Sequence, residues 1–126
     1  MPKKFDRKRI FYISMTLLIA IVIFLFSNIS TSAGEYVGLN LATFYHFGVF
    51  FMFTFFLSLS LRSREMNTKT ILIVLLLSLA YAISDEFHQL FVIGRFASAK
   101  DVLIDFAGSL CSVLAIRTLE RFKKIS

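Results

Sequence analysis

The sequence is poor in cysteine, with Cys111 as its one representative, and poor in charge, with Asp, Glu, Lys and Arg making up 17% of 126 residues. A single cysteine excludes a disulfide framework and a CxxC metal pair. Set inside an apolar run, Cys111 is expected to be a small packing residue. Strict alternation of apolar and polar residues is also missing, which excludes a transmembrane β-barrel. What fills the chain is apolar: 57% hydrophobic residues, a mean hydropathy of +0.76 and sixteen phenylalanines. That exceeds what a soluble core of this size buries, so the composition points to an integral membrane protein.

The length leaves room for roughly four spans of about 20 residues and little for a separate soluble domain, so residues 1–126 are expected to form one domain. Apolar segments run over about 10–29, 43–61, 70–91 and 102–118. The first, "IFYISMTLLIAIVIFLFSNI", follows the basic "KKFDRKR", and "TSAG" at Thr31 to Gly34 offers small residues of the kind a signal peptidase accepts. Its apolar core is longer than a usual signal h-region, so a retained helix is expected. Phenylalanine and β-branched residues favour strands in water, but a bilayer leaves only helices and closed barrels with a satisfied backbone. The expected fold is all-α, a bundle of four transmembrane helices.

Orientation follows from the basic residues. Lys3, Lys4, Arg7, Lys8 and Arg9 precede the first segment, Arg62, Arg64 and Lys69 lie between the second and third, and Arg117, Arg121, Lys123 and Lys124 end the chain. Twelve of the fourteen Lys and Arg thus fall on one side, with Arg95 and Lys100 on the other. The positive-inside rule then makes both termini cytoplasmic and the protein a multi-pass component of the cell membrane. These charges are short flanks of separate helices and form no single basic face, which excludes a nucleic-acid partner.

With that topology, both histidines, His46 and His88, four of the eight acids, Asp85, Glu86, Asp101 and Asp105, and the two outer bases gather at the outer membrane face, with Gln89, Ser27 and Asn28. Asp85, His88, Gln89 and Val92 share one face of the third helix, while Glu86 points about 100° away. Asp101, Asp105, Gly108 and Ser112 or Cys111 share a face of the fourth, where a small residue at 108 permits close helix approach. The expected pairing sets these two faces against each other. Ionisable groups at such depth face a bundle interior or a wet cavity and need partners; Arg95, Lys100, His46 and His88 are the candidates.

The stretch "SDEFHQLFVIGRFASAKDVLIDFAGS", Ser84 to Ser109, resembles the signature of the VanZ-like membrane proteins, the teicoplanin resistance type, in which an acidic pair, a Gln, a Phe, an Arg and a later Asp followed by Gly recur. "FYHFGVFFMF" and "LFSNIS" resemble that family's two earlier motifs. The resemblance implies a link to glycopeptide antibiotic susceptibility. The chain departs from the family at Thr43, where a lysine commonly stands one turn before the histidine, and a tyrosine that often follows is a phenylalanine here.

Three readings of the cluster stand side by side. In one, His46, Asp85, Glu86, His88, Gln89, Arg95, Lys100, Asp101 and Asp105 bind, or process, a membrane lipid or lipid-linked cell-envelope headgroup in the outer leaflet, with Arg95 able to hold a phosphate bidentately. In another, His46 with Asp85 and His88 or Gln89 ligates zinc or manganese, although no HExxH motif is present. In the third, Arg95 and Lys100 neutralise the acids in a purely structural ion-pair network. No cofactor is expected, no catalytic residue is assigned, and Ser84 and Ser98 sit on no nucleophile elbow. The phenylalanine run of the second helix reads as lipid-facing bulk and offers a face to a second copy of the chain.

Overall fold

The computed structural model describes residues 6–29 and 39–126, and it holds no strand among them. Four helices follow in order: α1 Arg7–Ser27, α2 Leu39–Leu61, α3 Thr68–Gln89 and α4 Ala99–Ile125. All four are long and apolar enough to cross a membrane. Lys3, Lys4 and the Thr31 to Gly34 segment lie outside the described residues.

Local chemistry sets the helix ends. Asp6 caps α1, its side chain accepting from the Lys8 amide at 3.1 Å, so the helix begins before the apolar run does. Asn67 caps α3 in the same way, accepting from the Thr70 amide at 2.9 Å. α4 differs most from the expected span of 102–118, continuing to Ile125. Its 27 residues rise roughly 40 Å, more than a hydrocarbon core of about 30 Å. The last turns carry Arg117, Glu120, Arg121, Lys123 and Lys124, which sustain helix without apolar character, and the final lysines complement the helix dipole. Hydropathy marks where the membrane ends, whereas the backbone continues.

α2 packs against each of the other three helices, while α1 and α4 do not touch. Ile23, Phe50, Phe53 and Ala82 form one apolar cluster, and Met66, Val74, Val113 and Ile116 form another. Phe50 and Phe53 are therefore core, contrary to the expectation that the phenylalanines of this helix face lipid; Phe53 stacks on Tyr81 with ring centroids 5.1 Å apart. Phe44, at 72% exposed, does face outward. Cys111 is exposed rather than packed, because the inward stripe of α4 runs through Asp105, Gly108, Ser109, Ser112 and Ile116 and leaves it outside. At Gly108 a Cβ would sit 2.3 Å from the Phe47 carbonyl oxygen, so the α2 and α4 backbones meet where only glycine fits.

The two ends of the bundle differ in chemistry. At one, Arg9 donates to the Ser60 carbonyl, Arg62 pairs with Glu120 at 2.9 Å, Glu120 also accepts from the Met66 amide, and Arg117 donates to the Met66 carbonyl. This ties the start of α1, the α2–α3 turn and the end of α4 together. The opposite end collects the polar groups singled out in the sequence.

Candidate functional site

The end of α3 splits its acids between two neighbours. Asp85 turns toward α1, where Ser27 Oγ lies 2.5 Å from Oδ1, and Gln89 donates to Oδ2 at 3.3 Å. Both oxygens of this buried carboxylate are thereby engaged. Ser27 Oγ also lies 2.9 Å from the Ile23 carbonyl, one turn back. His88 follows the same direction: its Nε2 is 3.0 Å from Asn28 Oδ1 and its ring lies 4.9 Å from Phe24. Asn28 Nδ2 donates to the Phe24 carbonyl at 2.7 Å, which leaves its oxygen for the histidine and makes His88 Nε2 the donor.

Glu86 turns the other way, toward α4. Its Oε2 accepts from the Ser98 amide at 2.7 Å, so the carboxylate binds the N-cap residue of α4 at its backbone. Ser98 makes no side-chain cap, and Asp101 supplies an acid in the first turn. The turn before it is built around Gly94, whose φ of 82° suits the third position of a type II turn; the Arg95 amide closes that turn on the Val92 carbonyl at 3.1 Å. Arg95 is thus carried back to a half-buried place within electrostatic reach of Tyr45.

α2 contributes His46, 8% exposed. Its Nδ1 lies 2.9 Å from Oδ1 of Asp105, a residue with no exposed surface, and its Nε2 lies 4.0 Å from Oδ2 of Asp101. His46, Glu86 and Asp101 each bring a ligand-type atom within 4.8 Å of the other two. The expected face-to-face pairing of α3 and α4 therefore needs correction. Asp105 is bound by α2 and Asp85 by α1, because Gly108 brings α2 against the polar stripe of α4.

A second correction concerns the bases. Among the described residues no ion pair joins Arg95 or Lys100 to any acid, and Lys100 is exposed. Histidine, not arginine or lysine, is the partner of Asp105, the buried carboxylate of α4. Among the described residues, four buried atoms at this end have no hydrogen-bond partner: Tyr45 Oη, Glu86 Oε1, Arg95 Nε and Asp105 Oδ2. Buried polar atoms are ordinarily satisfied, so such a set on one end of a bundle asks for a ligand.

Three contributors escaped the sequence reading. Ser109 donates to the Asp105 carbonyl at 3.1 Å, and Thr54 donates to Ser109 at 2.8 Å. Since that hydroxyl has one proton, Ser78, 2.9 Å from Thr54, donates to it in turn. The chain Ser78, Thr54, Ser109 and Asp105 joins α3, α2 and α4 through fully buried hydroxyls. Isolated Ser and Thr inside apolar runs were the available signal, but spacing along one helix does not say which hydroxyl meets which.

Beside Glu86 a cleft of about 260 Å³ opens between α3 and α4, with Ile83, Phe87, Leu90, Ala97 and Val102 in its walls. No curated protein and no solved structure matches the chain significantly. The family model VanZ/LLP1 does, over residues 4–120, a range that takes in every residue of this polar end; the chain belongs to that family, as a membrane-type bundle of four helices.

Proposed function

We propose that the polar end of the bundle binds the headgroup of a membrane lipid or lipid-linked cell-envelope amphiphile, and that it does so from the outer leaflet of the cell membrane. The observation that carries this is the set of unpartnered buried atoms, Glu86 Oε1, Asp105 Oδ2, Arg95 Nε and Tyr45 Oη. A carboxylate and a guanidinium held apart, each with bonding capacity left over, suit a headgroup that offers both hydroxyls and a phosphate. The apolar cleft beside Glu86 supports the same reading, because its Leu90, Phe87 and Val102 walls suit an acyl or prenyl chain entering sideways. A purely structural ion-pair lock is less well supported, since neither Arg95 nor Lys100 pairs with an acid among the described residues. Binding accounts for every group named, and no residue is assigned to turnover. The family's link with glycopeptide susceptibility fits a ligand among cell-envelope intermediates.

The test is native mass spectrometry of the protein in gentle detergent, with a polyprenyl-phosphate amphiphile and a zwitterionic phospholipid offered in equal amounts. Retention of the phosphate amphiphile should fall at least tenfold in Arg95→Ala and Glu86→Gln and stay unchanged in Lys100→Ala. Equal retention by all four proteins would remove the proposal.

A further inference from the structure

We infer that His46, Glu86 and Asp101 form a binding site for a divalent transition-metal ion of the zinc or manganese type. One nitrogen and two carboxylate oxygens, each within 4.8 Å of the other two, come from three different helices. The set differs from the one the sequence suggested: Asp85 and His88 are held at the α1 side by Ser27 and Asn28, and Gln89 is bonded to Asp85.

The hydrogen bonding of His46 prepares it as a ligand. Asp105 Oδ1 lies 2.9 Å from Nδ1, an acceptor that favours the neutral tautomer with its N–H on Nδ1 and its lone pair on Nε2. That nitrogen faces Asp101 Oδ2 at 4.0 Å, too long for a hydrogen bond. A carboxylate behind the ring and an open lone pair in front is the arrangement by which metal-binding histidines are oriented and made more basic. Glu86 is the second, independent observation: it is 4% exposed, and its Oε1 has no hydrogen-bond partner among the described residues. An imidazole nitrogen and two carboxylates thus meet at a point where no ion pair brings a lysine or arginine among the described residues.

Donor chemistry selects the ion. An imidazole with two carboxylates suits zinc, manganese or cobalt, whereas magnesium and calcium prefer all-oxygen sets. Ligand atoms around a zinc ion stand ~3.4 Å apart for bonds near 2.1 Å in tetrahedral geometry, and Asp101, with 31% of its side chain exposed, has the freedom to close in. Three protein ligands leave a position open for a water or a ligand oxygen.

The site shares Glu86 with the headgroup proposal, and its test is run without any headgroup so that the two fail separately. Purified protein, freed of metal by chelation and held in a phosphate-free, lipid-free detergent, is titrated with zinc and with cobalt, whose visible absorption reports nitrogen and oxygen ligands. One equivalent should bind, while Glu86→Gln and Asp101→Asn should each weaken binding by at least tenfold. Asp105→Asn, which touches only the far side of the ring, should weaken it 10- to 100-fold. Circular dichroism of each variant separates loss of a ligand from loss of the fold. Nitrogen-15 spectra of His46 supply a further readout: a lone-pair nitrogen that shifts on adding zinc supports the site. An imidazolium signal indifferent to zinc, or equal cobalt binding by parent and variants, overturns it.

Discussion

Asp85 and Asp105 are both buried acids of the same bundle end, and their surroundings assign them different work. Asp85 has a partner at each oxygen, Ser27 and Gln89, and nothing left to offer. Asp105 uses one oxygen on His46 and keeps the other without a partner. Asp85→Ala should therefore act on stability: it removes the buried bond to Ser27, whose hydroxyl keeps only the Ile23 carbonyl, and strands the Gln89 amide, at a cost of about 1–3 kcal/mol. Thermal unfolding in detergent checks this, and headgroup retention per folded molecule should stay within about twofold of the parent. A variant as stable as the parent would contradict the assignment. Lys100→Ala should change stability by less than about 0.5 kcal/mol, as an exposed residue without an ion pair among the described residues. The sequence marked these residues as polar groups in apolar helices, but their partners lie 58 and 59 positions away, and no periodicity within one helix reports a contact of that range.

At the scale of elements, the α2–α4 pair decides where the acids of α4 point. Its closest approach is at Gly108, where the Phe47 carbonyl occupies the space a side chain would need. Gly108→Ala should push the helices apart at the level of His46 and Asp105, destabilising the protein by roughly 1–3 kcal/mol as overpacking does. It should also weaken binding at the polar end, because His46 lies one residue before Phe47. Gly48→Ala is the control, since nothing lies within 4 Å of its Cβ position. If both alanine variants unfold at the same temperature as the parent, the close approach is not what holds α2 against α4. The small residue at 108 was readable as a point of helix approach, yet the identity of the approaching helix was not: the acid faces of α3 and α4 suggested each other, and a glycine opposite a carbonyl on α2 settled the matter differently.

For the molecule as a whole, the two bundle ends are chemically distinct. The α2–α3 turn and the ends of α1 and α4 share the arginine-rich end, and the α3–α4 turn closes the opposite one. The positive-inside rule predicts cytoplasmic basic flanks and, with them, an outward-facing His46 end. A cysteine at the exposed position of Ala97, in a background where Cys111 is replaced by Ser, should react with an impermeant thiol reagent applied to intact cells. Labelling only after lysis would reverse the orientation and place the polar end in the cytoplasm. A second copy of the chain remains a proposal here, and α1, which does not touch α4, has outward-facing Leu17, Ile21 and Leu25 to offer it.

The sequence by itself determined that this is a four-helix membrane protein, because the free energy of placing some twenty apolar residues in a bilayer depends on composition and length and hardly on neighbours. It also determined which polar residues would be out of place there, and its signature stretch carried the family. Only the tertiary structure decided that Glu86 binds the start of α4, that His46 stands between Asp101 and Asp105, and that Arg95 and Lys100 leave those acids to histidine. Those choices depend on which helix lies beside which and at what depth, and short-range packing contacts such as Gly108 against Phe47 set both.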